Sequence, residues 1–474
     1  MKKDFIDYIR NEFDFSQDEI NNFENACSMP LKKSIRVNTN KISVENFKKL
    51  VWEKWWKLTD TCLWKNTFYI DRAEDLDIAL WNTVEHLNGF FYIQELAASS
   101  SPFYMSGDKV DKNEYLILDM SASPWWKTTQ LSEYYPNSII IANEINKQRL
   151  KWLFVNLDRM SSSNVLVTNY DWRFFREYLE KFDKVLLDAP CSWEWTAYKT
   201  DDSLKYWNIK NIKSIAKLQL SLIDSALKTL KVWWELVYST CTLNRIENEW
   251  VIDLVMQRYA DCLEIVPLFT KSEIISEWEK KNFVRNWPHI NGTWWFFVAK
   301  IKKIKSFDIE NPKEINSRDM FFWKDLEKNN KYIKQKDVVQ NYEKLSSKDM
   351  KMILKFIEDN FSYSLKEKKF FRYKDEIFIF DQNIDFLWKD LFFYKTWIKI
   401  WELKKGIFVP NFNLWIIEKF EKNSFSIWVI DFNKLHKWED VFVDKVDWYY
   451  QIIVGESVAW IVIIKNKKMK FCFN

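Results

Sequence analysis

The stretch "LDMSASPWWKTTQL" (118–131) decides the fold. An apolar run from Tyr115 to Leu118 ends in Asp119; small residues, a proline and two adjacent tryptophans follow, then a lysine and a helix-like segment. In α/β proteins such a strand–turn–helix junction receives a nucleotide-like ligand, because backbone N–H groups at the turn must come close to it. The turn normally uses glycine, which tolerates positive φ and puts no side chain in the way. Here Trp125 and Trp126 stand in that place.

The anomaly extends through the chain. There are 5 glycines and 28 tryptophans in 474 residues. Average usage of about 7% would supply roughly 33 glycines, the number that glycine and tryptophan reach together. Base-stacking or core tryptophans should fall on helix and strand faces. Many of these fall at turns instead, as in "LKVWWELVYS", "CSWEWTAYK" (191–199) and "NGTWWFFVAK" (291–300). The expectation is that most are UGA codons, read as glycine in the source organism. The competing reading is a Trp-rich nucleic-acid binder. Two indoles at 125 and 126 are expected to crowd the cleft beside that turn.

The length allows two to four domains. With 47% hydrophobic and 29% charged residues, the chain reads as globular. The N-terminus lacks an apolar core of the kind a signal peptide carries, and "YYQIIVGESVAWIVII" is broken by Glu456, so no membrane span is expected. Six cysteines without a CxxC pair imply a reducing cytoplasm, free thiols and no structural zinc. Three histidines leave little room for metal or His-based catalysis, and the net charge of +4 says little about a polyanion partner.

From 115 to 301 strands and helices alternate: strand 115–119, helix 127–135, strand 138–142, helix 145–156, strand 164–168, helix 173–180 and strand 183–188. A helix over about 212–230, strand 235–239, helix 246–259 and strand 295–301 follow. This pattern predicts an α/β, doubly wound parallel sheet, with ligands at the carboxyl ends of its strands. Residues 1–105 read as a mostly helical extension with a short strand at "SIRVNT" (34–39). Residues 106–303 read as the α/β unit that would carry any catalytic site, 304–370 as a connecting region beyond "KIKKIKS" (300–306), and 371–474 as a β-rich domain.

Chemistry gathers at the strand ends. With glycine restored, "DMSASPGGK" suits a nucleoside. Glu144, ending the second strand, can accept from both ribose hydroxyls, and Asp171 in "NYDWR" from an adenine amino group, unless it only caps a helix. No GxxxxGK[ST] phosphate loop is present, which favours adenosine without a polyphosphate. "LLDAPCS" supplies Asp188 and Cys191, and "VYSTCT" supplies Cys241. A lone cysteine is ordinarily a buried hydrophobe. Two at one sheet edge, beside an aspartate, suit nucleophilic attack on C6 of a pyrimidine, which makes C5 of cytosine reactive toward a methyl group.

"SIRVNT", "DMSASPWWKTTQL", "ANE", "YDWR", "LLDAPCSWEWT", "YSTCTLN", "ENE" and "RNWPH…GTWWFFVAK" together resemble the S-adenosylmethionine-dependent RNA cytosine-C5 methyltransferases. Within them they are most similar to the bacterial 16S ribosomal RNA group of the RsmF/YebU type. The resemblance implies a Rossmann-like methyltransferase core, an N-terminal RNA-binding extension and a C-terminal PUA-like domain. It implies S-adenosylmethionine as cofactor, held by Ser121, Ala122, Ser123, Pro124, Trp125, Trp126 and Lys127 with Glu144, Asp171 and Asp188. It makes Cys241 the nucleophile and Cys191 the residue that helps release the product, with Asp188 on the cytosine and Lys127 near the reacting groups. It implies ribosomal RNA of the small subunit as partner, a cytoplasmic monomer and no metal.

The family's glycines stand here as Trp125, Trp126, Trp193, Trp195, Trp233 and Trp234, while Trp287 and Trp207 match family tryptophans. "YKTDD" (198–202) departs from the family's basic segment, and Tyr198 loses a contact to RNA. Ser121 and Ser123 replace small residues. Two other readings remain open: a catalytically inactive RNA-binding ribosome-assembly factor, and the same chemistry on transfer RNA. The basic run "IKNKKMK" (464–470) either tracks RNA phosphates or is a solvated strand end.

Overall fold

The computed structural model describes residues 2–61, 65–72, 78–107, 109–123, 126–192, 194, 207–268, 282–308 and 343–361, and segments between 369 and 471. Two amphipathic helices open the chain, α1 (Lys3–Phe13) and α2 (Gln17–Ser28). Ser16 starts α2 with a capping box: its hydroxyl accepts from the Glu19 N–H and the Glu19 carboxylate accepts from the Ser16 N–H. Next come β1 (Ser34–Val37), α3 (Val44–Trp52), β2 (Lys57–Asp60), β3 (Thr67–Asp71), α4 (Val84–Leu87), β4 (Phe91–Ile93) and α5 (Ser100–Ser106). The strands make an antiparallel sheet in the order β2-β3-β1-β4. The region is mostly helical, as expected, and the strand at "SIRVNT" is present; the expectation of a single short strand is corrected, because three more strands pair beside it. β2 is short and largely exposed and β4 spans three residues, so neither shows the alternation that marks a strand.

The central layer contains β5 (Leu116–Asp119), α6 (Trp126–Tyr134), β6 (Ile139–Asn143), α7 (Lys147–Arg159), β7 (Val165–Thr168) and β8 (Phe182–Asp188). It continues with α8 (Ile209–Thr229), β9 (Leu230–Thr240), α9 (Glu249–Arg258), β10 (Leu263–Ile265), β11 (Phe283–Asn286), α10 (Pro288–Asn291) and β12 (Phe296–Lys303). Strand order is β10-β12-β9-β8-β5-β6-β7. β9, β8, β5, β6 and β7 run parallel, as expected; β12 is antiparallel to β9 and takes β10 and β11 antiparallel to itself.

Both faces of this sheet are covered, which is why its strands are nearly continuous apolar runs. Ile117, Ile140 and Val167 pack with Leu131 of α6 and Leu150 and Leu153 of α7. Leu118, Ile141 and Val185 face the other way, onto Ala216, Leu220 and Ile223 of α8. The chain runs outward from β5 to β6 and β7, then returns to β8 on β5's other side. That reversal opens a crevice beyond the carboxyl ends of the strands. The expected helix at 173–180 is instead a 3-10 turn, Trp172–Glu177, capped by Asp171.

The N-terminal sheet is fastened to α6. Buried Arg36 of β1 pairs with Glu133 and donates to Gln94 Oε1 and Thr129 Oγ1, both at 2.9 Å. Truncating one partner of such a buried pair costs about 3–5 kcal/mol.

Two of the described tryptophans sit in glycine conformations. After α3, the Trp56 N–H donates to the Val51 carbonyl (3.1 Å) and the Trp55 N–H to the Trp52 carbonyl (3.0 Å), a Schellman end. Trp55 is its left-handed residue, at φ 59° and 75% exposed. Trp233 lies where the β8–β9 register shifts, at φ 74° and 67% exposed. A bulky side chain in that region is a true outlier, whereas glycine enters it freely. Trp207 and Trp287 behave as ordinary core aromatics, buried with Phe5 and Phe23. Trp295 also does so, stacked on Phe23 at 5.7 Å, although its position is one where glycine was expected.

Beyond 343 the structure has α11 (Ser347–Phe361) and two five-stranded sheets, so the β-rich reading of "EIFIF" and "WIKIW" holds. In "IKNKKMK", Lys467 pairs with Asp444 at 2.8 Å and Lys468 pairs with Asp440. Among the described residues, no helix is long and apolar enough to cross a membrane. Pro124, Trp125, Trp193, Trp195 and the segment "YKTDD" lie outside the described residues.

Candidate active site

A cavity of about 400 Å³ lies beyond the carboxyl ends of β5, β6, β8 and β9. Ser121, Ser123, Trp126 and Lys127 border it from the β5–α6 turn, and Glu144 from the end of β6. Asp188, Cys191 and Cys241 border it from the ends of β8 and β9. Residues far apart in sequence thus meet because parallel strands end at one edge.

The half of the cavity beside the β5–α6 turn has the chemistry of a nucleoside site. Ser121 Oγ and Ser123 Oγ are buried without a hydrogen-bond partner among the described residues, so both await one. Glu144 is buried and its Oε1 accepts the Asn146 N–H at 2.7 Å. Asp119 is fully buried behind the turn and accepts from the Thr128 hydroxyl at 2.6 Å; burial pushes its carboxyl up to about 7. Ala122 supports the turn from below, its N–H donating to the Asn143 carbonyl (2.8 Å), and does not border the cavity.

Two expectations change here. Asp171 does not border the cavity, although its neighbour Trp172 does. It caps the 3-10 turn through the Arg173 N–H and is gripped by the Arg173 guanidinium at 2.6 and 2.9 Å. Burial works to raise the Asp171 carboxyl, and the Arg173 hydrogen bonds outweigh it and hold it below its usual value. The crowding expected of the paired indoles takes a milder form. Trp126 forms a wall of the cavity, its buried indole N–H lacking a partner among the described residues, yet the space persists.

The other half, at the ends of β8 and β9, is held by a polar frame. Lys127 Nζ donates to Asp188 Oδ2 at 2.7 Å, and Ser239 Oγ to Asp188 Oδ1 at 2.8 Å. Both carboxylate oxygens of Asp188 are thereby fixed at the cavity wall. Ser239 escaped the sequence reading, although it lies on β9 two residues before Cys241.

Cys191 and Cys241 are joined as a disulfide, with Cα atoms 6.4 Å apart. The expectation of free thiols throughout is corrected for this pair; among the described residues, Cys27 and Cys262 form no disulfide. The cause is topological. Asp188 is in register with Ser239 on adjacent parallel strands, so the loops leaving those strands carry the two cysteines side by side. A Cα separation of this size is within the span that a disulfide bridges.

Residues 109–302 match the family described as 16S rRNA methyltransferase RsmB/F, and residues 1–96 match the N-terminal domain of 16S rRNA methyltransferase RsmF. The chain is 37% identical over 400 residues to the ribosomal RNA small subunit methyltransferase F of Shewanella piezotolerans, covering 82% of this chain and 78% of that relative. It belongs to the RsmF family of 16S rRNA methyltransferases. The family member from Vibrio cholerae is 41% identical over 305 residues, 63% of each chain. A methyltransferase homolog from Pyrococcus horikoshii is 29% identical, with a TM-score of 0.52 over 64% of this chain and all of that one. The RsmF family match spans the N-terminal sheet, and the RsmB/F match includes both cysteines and the cavity residues from Ser121 to Cys241.

Proposed function

We propose that this enzyme methylates C5 of a cytidine in 16S rRNA. The observation that carries the reading is the meeting of Cys191, Cys241 and the Lys127–Asp188 pair on one cavity with the β5–α6 turn. Ser121, Ser123 and Glu144 fit S-adenosylmethionine, with two hydroxyls that have no partner among the described residues and a carboxylate for a ribose. When bound there, it supplies an electrophilic methyl group to the activated C5. The Cys241 thiolate adds to C6, and the C5–C6 double bond opens to put electron density on C5. Asp188 hydrogen-bonds the N3/N4 edge of the ring, with Lys127 fixing its orientation. After methylation Cys191 accepts the proton from C5, the double bond re-forms and Cys241 leaves as thiolate. The base has to leave its stack to reach the thiols, which calls for exposed or flippable RNA.

In this reading the N-terminal sheet and a PUA-like C-terminal region hold RNA, and the protein works as a cytoplasmic monomer. Bisulfite sequencing of 16S rRNA and transfer RNA with and without the enzyme tests it. One cytidine is expected to lose its protection when the gene is deleted; loss confined to a transfer RNA cytidine redirects the reading to that substrate.

Both proposed roles need reduced thiols. Treatment with a thiol oxidant is expected to abolish methylation, and dithiothreitol to restore it. Full activity in protein whose Cys191–Cys241 bond is verified by mass spectrometry contradicts the roles.

The native cofactor turn is proposed to carry glycine. The left-handed conformations of Trp55 and Trp233 support this, as does the Trp126 indole N–H, which has no hydrogen-bond partner among the described residues. The peptide 118–127 from native protein is expected to have the mass for glycine at 125 and 126. A mass for two tryptophans sinks the recoding and favours the inactive RNA-binding relative.

A further inference from the structure

Behind the two cysteines lies a set of buried polar residues that the mechanism above does not use. Glu194 comes from the Cys191 loop, and its Oε2 accepts the Leu243 N–H (2.8 Å) in the Cys241 loop. Glu247 follows the Cys241 loop, and its Oε2 accepts the Ser192 N–H (3.0 Å) beside Cys191. The two carboxylates therefore cross, each holding the backbone of the other's loop. Asn244 ties them together, donating from Nδ2 to Glu194 Oε1 and to Glu247 Oε1, both at 2.8 Å. Its own Oδ1 accepts the Glu247 N–H at 2.8 Å. Gln219 of α8 extends the frame, donating to Glu247 Oε2 (2.8 Å) and to the Pro190 carbonyl (2.9 Å). Glu194, Asn244 and Glu247 are each 0% exposed.

Burying two carboxylates side by side is costly, and a loop needs no such pair merely to be anchored. Burial raises the Glu194 carboxyl; burial and then the Glu194 charge push Glu247 up to about 7. What the crossed arrangement holds, whether or not the Cys191–Cys241 bond is present, is the backbone of one loop against the other, and in the reduced protein that sets how far apart the two sulfurs stand.

We propose that Glu194, Asn244 and Glu247 are positioning residues for the reaction, a crossed clamp that sets the spacing and orientation of the Cys191 and Cys241 thiols. The clamp rests on the methylation reading for its purpose. The thiol that adds to C6 and the thiol that takes the C5 proton must address adjacent carbons of one ring. Misplacing a reacting group by about 1 Å costs on the order of a hundredfold in rate. The same frame explains how both loops keep their shape around a cavity that opens to receive an RNA base.

The test compares the full chain with Glu247→Ala, Glu247→Gln and Asn244→Ala. Phenylarsine oxide, which bridges two neighbouring thiols, reports their spacing in the reduced free protein. Methylation kinetics report kcat and the KM for RNA. Glu247→Ala and Asn244→Ala are expected to weaken arsenical capture about tenfold or more and to lower kcat by about tenfold to a hundredfold, with KM changed by less than about twofold. Glu247→Gln keeps an acceptor for the Ser192 N–H and is expected to restore both readouts to within about threefold of the parent. Unchanged capture and kcat in folded Glu247→Ala overturn the proposal, as does lost kcat with unchanged capture. Should Glu247→Ala not fold, Asn244→Ala read against Glu247→Gln decides in the same way. If the parent enzyme itself methylates no cytidine, the methylation reading has failed, while arsenical capture still judges the clamp.

Discussion

Replacing Cys241 by alanine is expected to lower methylation by about four orders of magnitude or more, the scale of loss when a covalent nucleophile is removed. The cavity and the Lys127–Asp188 pair stay in place, so affinity for S-adenosylmethionine is expected to change little. C5 of cytosine is a poor nucleophile until C6 carries an added thiolate, and the remaining groups cannot supply that addition. Serine at 241 is expected to rescue little, because its hydroxyl is far less ionised than a thiol. Single-turnover transfer of a labelled methyl group measures the effect. Activity within about tenfold of the parent would mean that C6 is activated by another group.

Alanine at Cys191 is expected to act at the opposite end of the reaction. Addition to C6 and methylation proceed, while the C5 proton stays in place and Cys241 cannot leave. The enzyme is expected to accumulate as a covalent complex with RNA, visible as a slow band on a denaturing gel. Turnover is expected to fall by about a hundredfold to ten-thousandfold, the contribution of a positioned proton acceptor. A single burst of methylation, close to one per enzyme, should precede the stall. Loss of both the burst and the complex would instead place Cys191 in the addition step.

The central fold was readable because parallel strands buried on both faces are apolar throughout and alternate with amphipathic helices. Cys191, Cys241, Asp188 and Glu144 were readable because each follows such a run directly, and sheet topology then carries all strand ends to one edge. Asp171 also follows a strand, but Arg173, two residues later, claims its carboxylate; a strand-end position does not say where a side chain turns. Two N-terminal strands, β2 and β4, were not legible, because β2 is exposed and β4 spans three residues. The Glu194–Asn244–Glu247 clamp was illegible for another reason. Its members look like ordinary polar loop residues until the fold brings 194 against 243 and 247 against 192. The disulfide, likewise, follows from β8–β9 register and not from spacing in sequence.

The most direct test of the account is trapping with RNA that carries 5-fluorocytidine at the target position. Fluorine at C5 cannot leave as a proton does, so the reaction is expected to stop after methylation with the RNA bonded to the enzyme. Mass spectrometry of the digested complex is expected to place the nucleotide on the Cys241 sulfur, with one methyl group added to the ring. A stable methylated product without any covalent complex, or a bond to Cys191 instead, would contradict the account.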